Sequence, residues 1–417
     1  MRSFIAAHAS HPDWQAALVS AAAQVDAQMP QHDTGGGGPL TLGFVYLTDA
    51  YAAHAEALLA ALRARWPGVS WVGGVGVGVA ASGVEYFDQP ALVLMLSALP
   101  AGRFEVFSGA RPLSRIDVFS ALVHADPSTH ELGELIDEMS DRTASGYLFG
   151  GIMSSRTTAF HIADGVWQGG LSGVAFSADV ALLSRVTQGC QPVGPVRRIT
   201  RNERNVVLEL DGEPALPCLL RDIGAASLVD PRAVLPRLRG TLVGLSDATD
   251  TALGRGGQFG ADVRVRALVG IDPGRDAVAV GDLVQADMRL AFCARDVASA
   301  RRDLVRICSE IREELAPEPV LSSFDPGLPA GGPEARGAML ADMSPPAPLA
   351  PRQIHGAIYV SCAGRGGPHF GGPSAELQII RHALGDVPLV GFFASGEIAR
   401  HHVYGYTGVL TVFTDPA

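Results

Sequence analysis

Ser361-Cys362-Ala363-Gly364-Arg365-Gly366 and, further on, Gly391-Phe392-Phe393-Ala394-Ser395-Gly396-Glu397-Ile398 decide how this chain is read. An apolar strand running through Val360 leads into the first segment, and a helix over Ser374 to Leu384 separates the two. Strand, helix and strand, with glycines and polar groups at the strand ends, make an α/β unit, and open α/β sheets hold ligands at those ends. Glycine lets backbone approach a small molecule closely, and an arginine fork suits carboxylate or phosphate. Gly364, Gly366, Gly391 and Gly396 are the expected backbone contacts, with Arg365 gripping an anionic group and Glu397 meeting a cationic or hydroxyl group. Cys362 stands at the strand end as a ligand-facing thiol, its pKa lowered by Arg365. Glu376 falls in the first turn of the Ser374-capped helix, where a carboxylate also complements the helix dipole.

The same order of elements recurs upstream. Thr41 to Leu96 runs strand, capped helix, glycine-rich segment and strand, as does Ala357 to Phe413. This predicts a mixed α/β fold with two pseudo-repeated halves facing each other. A further unit runs from Ala121-Leu122-Val123 through a helix with Leu132, Leu135, Ile136 and Met139 to Tyr147-Leu148-Phe149. The middle is β-rich: Val206 to Leu210 ends at the turn pair Asp211-Gly212, and Val265 to Phe292 is broken by Asp272-Pro273-Gly274, which predicts antiparallel hairpins. A helix is expected from Val297 to Leu315. Gly35 to Gly38 and Pro326 to Pro351 have linker composition. The division expected is 1–215 and 216–417, the second part carrying the Pro/Gly-rich insertion near 326–351.

Composition excludes several functions. The chain has 417 residues, 47% hydrophobic, 18% charged, with net charge -11, which argues against a nucleic-acid partner. All 32 basic residues are arginine, so neither a Schiff-base lysine nor a P-loop can be present. Apolar runs such as Ala91 to Leu96 are too short to cross a membrane. The start lacks the apolar centre of a signal peptide, and five cysteines without a C-x-x-C pair fit a reducing cytosol, with no metal site expected.

Two motifs invite other chemistry. Gly73-Gly74-Val75-Gly76-Val77-Gly78 does not open a helix, so it fails the context of a dinucleotide turn. Haem needs a single axial histidine, and His161 and His369, each beside a glycine-rich turn, are its candidate ligands. His401 and His402 are expected on opposite faces of one strand. No Ser/His/Asp spacing completes a nucleophilic triad, so no catalytic residue is assigned, and thiol chemistry at Cys362 is the enzymatic alternative.

These residues resemble the FIST family. The C-terminal resemblance rests on Ser361-Cys362-x-Gly364-Arg365-Gly366, Phe370-Gly371, Glu376, Leu384-Gly385, Gly391-Phe392-Phe393-Ala394-x-Gly396-Glu397-Ile398 and Thr407-Gly408-Val409-Leu410. The N-terminal one rests on Gly150-Gly151, Gly169-Gly170-Leu171-Ser172-Gly173-Val174, Gln188-Gly189-Cys190-Gln191-Pro192-Val193-Gly194-Pro195 and Leu210-Asp211-Gly212; Arg295-Asp296 and the helix after it also match. The resemblance implies a bacterial cytoplasmic sensory protein, not an enzyme, that binds a small ligand such as an amino acid and requires no cofactor. A subset of the family looks like haem-binding nitric-oxide sensors, the alternative reading here. The implied partner is a separate signalling protein, such as a histidine kinase or a cyclic-di-GMP enzyme. The chain departs from the family pattern in two places: Gly73-Gly74-Val75-Gly76-Val77 stands where many relatives carry a Gly-Cys-Ser/Thr turn, and the Pro326–Pro351 insertion is long.

Overall fold

A computed structural model describes residues 4–34, 38–114, 117–225, 231–247, 263–316 and 351–416. The two linker stretches, apart from Gly38 and Pro351, lie outside the described residues. The first unit comprises β1 (Phe4–Ser10), α1 (Trp14–Thr34), β2 (Leu42–Thr48), α2 (Ala55–Arg65), β3 (Ser70–Gly76), β4 (Gly78–Ala81), β5 (Val84–Phe87) and β6 (Ala91–Ser97). The second comprises β7 (Phe104–Phe107), β8 (Val118–Ala125), α3 (Leu132–Asp141), β9 (Tyr147–Ile152), β10 (His161–Ala163), β11 (Val166–Trp167) and β12 (Leu171–Ser177).

The third unit opens with β13 (Leu182–Gln188) and is then interrupted by a β-rich module. The module contains β14 (Cys190–Pro192), β15 (Arg197–Glu203), β16 (Val206–Leu210), β17 (Glu213–Pro214), α4 (Ala215–Asp222), α5 (Pro231–Gly240), β18 (Thr241–Ser246), β19 (Arg264–Asp272), β20 (Ala277–Val280) and β21 (Arg289–Arg295). The unit resumes with α6 (Val297–Leu315), β22 (Ile354–Cys362), α7 (Ala375–Leu384), β23 (Leu389–Ala394), β24 (Gly396–Arg400), β25 (His402–Tyr404) and β26 (Thr407–Thr414).

The two repeats legible in the sequence have a third companion. The sheets are ordered β1-β6-β2-β3-β10-β11, β7-β12-β8-β9-β24-β25 and β13-β26-β22-β23-β4-β5. In each, a parallel pair sits at the centre: β2 with β3, β8 with β9, β22 with β23. Each sheet is completed by a hairpin that follows another sheet's parallel strand. The hairpin after β3 pairs with β23, the one after β9 with β3, and the one after β23 with β9. This exchange interlocks the three units in a ring. The expected Leu40–Leu47 and Ala91–Leu96 strands and the Val297–Leu315 helix are all present. Gly73 to Gly76 lies in β3, as its failure to open a helix requires.

The glycines of the parallel strands explain the close strand spacing. Gly73, Gly150 and Gly391 sit opposite Val45, Val123 and Tyr359. A Cβ on them would lie 1.7, 1.9 and 1.7 Å from the carbonyl oxygens of those partners. One position further along the central strands, Tyr46, His124 and Val360 enter a core shared by all three units. There the Tyr46 hydroxyl lies 3.0 Å from His124 Nε2, and its ring stacks on Phe392 at 5.0 Å. Burial holds His124 neutral, its pKa pushed down to about 3. The helices cover the outer faces, α1 and α2 on the first sheet and α6 and α7 on the third.

The module has its own core under α4 and α5. Its strand path β21-β15-β16-β20-β19-β18 closes on itself through a β18–β21 pairing, the device by which small barrels remove exposed edges. Residue 215, the expected division, falls within this barrel, whose sheet takes strands from both sides of it. No described helix is long and apolar enough to cross a membrane.

Candidate functional site

The predicted residues converge where β22 and β23 end, facing the barrel. Cys362 closes β22 and Ala394 closes β23 in register. The β24–β25 hairpin leaves from there and returns through Tyr404, Gly405 and Tyr406 into β26. Opposite stand Val265 and Arg266 of β19 and Arg295 at the end of β21. Between them lies a cavity of about 500 Å³ bordered by Arg295, Cys362, Gly364, Ser395, Tyr404 and Tyr406, a size that suits small-molecule ligands.

Two of the expected ligand contacts border this cavity, Cys362 and Gly364; the others form its foundation. Arg365 is a correction. It is 2% exposed and donates from Nε and Nη2 to Glu376 Oε1 at 2.9 and 2.6 Å. Its Nη1 reaches the carbonyls of Thr187 and Tyr406 at 3.5 Å. Burial opposes the guanidinium charge, but Glu376 outweighs it and raises the pKa. Glu376 accepts from the Tyr359 hydroxyl at 2.5 Å and from Ser361 Oγ at 3.0 Å as well. It is therefore the hub of a buried network, and Arg365 is turned to that network and is not among the residues that line the cavity. The Ser374 hydroxyl does not cap α7; it accepts from the Glu85 backbone N–H at 3.0 Å.

Glu397 is fully buried and is not among the residues that line the cavity, and Arg365 pairs with Glu376 instead. One of its oxygens accepts from the Thr407 N–H and hydroxyl at 3.1 and 2.7 Å. Burial pushes its pKa up to about 8, with the Thr407 bonds acting the other way, so at neutral pH the folded protein holds it mainly protonated. Cys362 lies beside it. Burial first, and then the charge of Glu397, push the thiol up to about 12, overturning the lowering expected from Arg365, whose effect is smaller.

Gly366, Gly391 and Gly396 also depart from their expected role. A Cβ on Gly366 would lie 2.4 Å from the Phe87 ring, and on Gly396 2.8 Å from the Val403 side chain. Like Gly391, they are small because protein packs against them. His161 uses both ring nitrogens, one at 2.5 Å from Ser172 Oγ and the other at 3.1 Å from the Gly169 carbonyl, so ligating haem through either nitrogen would displace the hydrogen bond that nitrogen makes. His369 is half-buried on the turn before Phe370, outside the cavity lining. His401 and His402 do not share one strand; His401 lies in the β24–β25 turn and His402 opens β25, with ring centroids 3.9 Å apart. Among the described residues no group of three or more His, Cys, Asp or Glu is arranged to hold a metal ion.

The residue that offers an anion contact is Arg295. It is exposed, its Cζ lies 3.8 Å from the Tyr406 ring centroid, and among the described residues no carboxylate lies within salt-bridge distance of it. Arg266, the other guanidinium at the cavity, donates from Nε to Asp282 at 2.9 Å. Arg295 was visible in the sequence only as part of the Arg295-Asp296 pair. The pair makes structural sense, since Asp296 caps α6 by accepting from the Ser299 N–H at 2.6 Å and fixes where the preceding arginine leaves β21.

The FIST N domain matches residues 41–213 and the FIST C domain residues 234–400, so the chain belongs to the FIST family, a family of signal-transduction sensors. Among similar proteins, the uncharacterized protein Rv0628c of Mycobacterium tuberculosis is 28% identical over 423 residues, covering 97% of each chain. The uncharacterized protein Mb0898c of Mycobacterium bovis is 27% identical, again over 97% of each.

Proposed function

We propose that this chain senses a small anionic ligand bound in the cleft between the three-unit core and the barrel module. The observation that carries the reading is Arg295. It is a guanidinium without a carboxylate partner among the described residues, stacked on Tyr406 at the mouth of a cavity of ligand size. Stacking fixes the plane of the fork and lowers the entropy lost when it grips a carboxylate or phosphate. Ser395, the two tyrosines and the Gly364 backbone supply the remaining polar contacts. A binding role rather than catalysis is supported by Cys362, which at neutral pH is held as the thiol and not the nucleophilic thiolate. The five cysteines are all free, which fits a cytoplasmic setting. The bound state would be read by a separate protein such as a histidine kinase or a cyclic-di-GMP enzyme.

The test is a thermal-shift screen of amino acids, organic acids and sugar phosphates, followed by calorimetry on the hits. Arg295→Ala is expected to weaken a hit at least about tenfold, the equivalent of about 1.4 kcal/mol. An unresponsive screen, or a hit that binds Arg295→Ala as well as the parent protein, would remove the proposal.

A further inference from the structure

The ligand cavity has a neighbour. A second cavity of about 640 Å³ lies on the barrel module, at the ends of α4, α5 and β21 and the start of β18, and it shares Arg295 and Tyr406 with the first. Its wall carries two further guanidinium groups, those of Arg237 and Arg239 in the last turn of α5. Cations at the C-terminal end of a helix complement its dipole. That accounts for the α5 pair but not for Arg295, which reaches the same space from β21.

The charges on this wall do not cancel. The carboxylate in it, Asp222, has both oxygens taken by Nη1 and Nη2 of Arg197, at 2.6 and 2.8 Å. Among the described residues no carboxylate lies within salt-bridge distance of Arg237 or Arg239. Arg237 donates from Nη1 to the Ile223 and Gly224 carbonyls at 3.2 and 2.6 Å, which holds its fork against the end of α4. Arg239 is exposed. The chain as a whole carries a net charge of -11, so this arginine-lined recess stands against an acidic background. Such a recess concentrates anions, and arginine forks match the oxygens of phosphate.

We propose that the ligand carries two anionic groups, one of them a phosphate, and spans both cavities. The phosphate lies in the second cavity against Arg237 and Arg239. The other group, a carboxylate or a second phosphate, meets Arg295 at the mouth of the first. A phosphate is close to doubly charged at neutral pH, which suits a pair of guanidinium groups, whereas a plain monocarboxylate held by Arg295 would leave the α5 pair unfilled. This rests on Arg295 being the anion contact of the first cavity, and adds to it the chemical class of the ligand.

The test is calorimetry on the full chain with alkane-α,ω-bisphosphonates of two- to six-carbon spacers, whose phosphonate groups stand in for phosphate. Each is compared with the alkyl monophosphonate of the same length. At one spacer length or more, the bisphosphonate should bind at least about tenfold tighter than its monophosphonate, because the second group binds at the effective concentration set by the first. Arg239→Ala should remove that advantage, and Arg295→Ala should weaken the same bisphosphonate at least about tenfold. Bisphosphonates no tighter than monophosphonates at every length overturn the two-cavity ligand, and the parent protein alone gives that result even if a variant does not fold. An advantage that survives Arg239→Ala but not Arg295→Ala also overturns it, while leaving Arg295 as the anion contact of the first cavity. Binding lost in Arg239→Ala and unchanged in Arg295→Ala overturns both.

Discussion

Replacing Glu376 by alanine should be among the most damaging single changes outside the hydrophobic core. The side chains of Arg365 and Glu376 are each 1% exposed. Glu376 receives Nε and Nη2 of Arg365, the Tyr359 hydroxyl and the Ser361 hydroxyl. Its removal leaves a charged guanidinium out of water with only the carbonyls of Thr187 and Tyr406 at 3.5 Å. Breaking one partner of a buried pair costs about 3–5 kcal/mol. Exchanging both partners for apolar residues of similar volume is often neutral, because it removes the desolvation cost together with the attraction. Urea unfolding followed by circular dichroism should therefore show a large midpoint drop for Glu376→Ala, and a clearly smaller one for Arg365→Met combined with Glu376→Leu. A loss below about 1 kcal/mol in the single variant, the range of an exposed pair, would refute the buried-network reasoning. So would a double variant as unstable as the two single changes added together.

Glu397 gives a pH signature. Its folded pKa of about 8 lies above the ordinary 4.5, so between those values the folded state keeps a proton that the unfolded state has lost. Its contribution is fully present at low pH and falls as pH rises through about 8, by about 1.4 kcal/mol per unit. Glu397→Gln should flatten that decline in urea titrations between pH 5 and 8; parallel curves for the two proteins would contradict it. Gly150→Ala places a Cβ 1.9 Å from the Val123 carbonyl oxygen, which forces β8 and β9 apart. It should cost about 3 kcal/mol or more, read as a lowered melting temperature, whereas an unchanged melting temperature would show that the strand spacing is not set by this contact.

Much of the fold was legible because its signals are local. The Val297–Leu315 helix carries apolar residues at Ala300, Leu304, Ile307, Cys308 and Ile311, all buried on one face. The strand at Val206–Leu210 ends at the turn residues Asp211 and Gly212. The two repeats were visible because each keeps its helix between paired strands. The strand–helix–strand core of the third, β8, α3 and β9, was read as a further unit but not matched to the other two. The exchange of hairpins left no trace in spacing, since β4 continues from β3 after a single residue yet pairs with β23.

The site was half legible. Cys362 and Gly364 were placed correctly at a strand end. Arg365 was misassigned because its partner Glu376, eleven positions along, presents itself in the sequence as a helix-dipole carboxylate. Arg295 could not be placed at the cleft from spacing, because it arrives on the last strand of an inserted barrel.

Hydrogen exchange on the full chain, with and without the tightest calorimetric ligand, tests the central claim most directly. Slowed exchange at Cys362–Gly364, Gly405–Tyr406 and Arg295, on the two walls of one cleft, is the predicted result. Protection confined to other surfaces, with these amides unchanged, would contradict it.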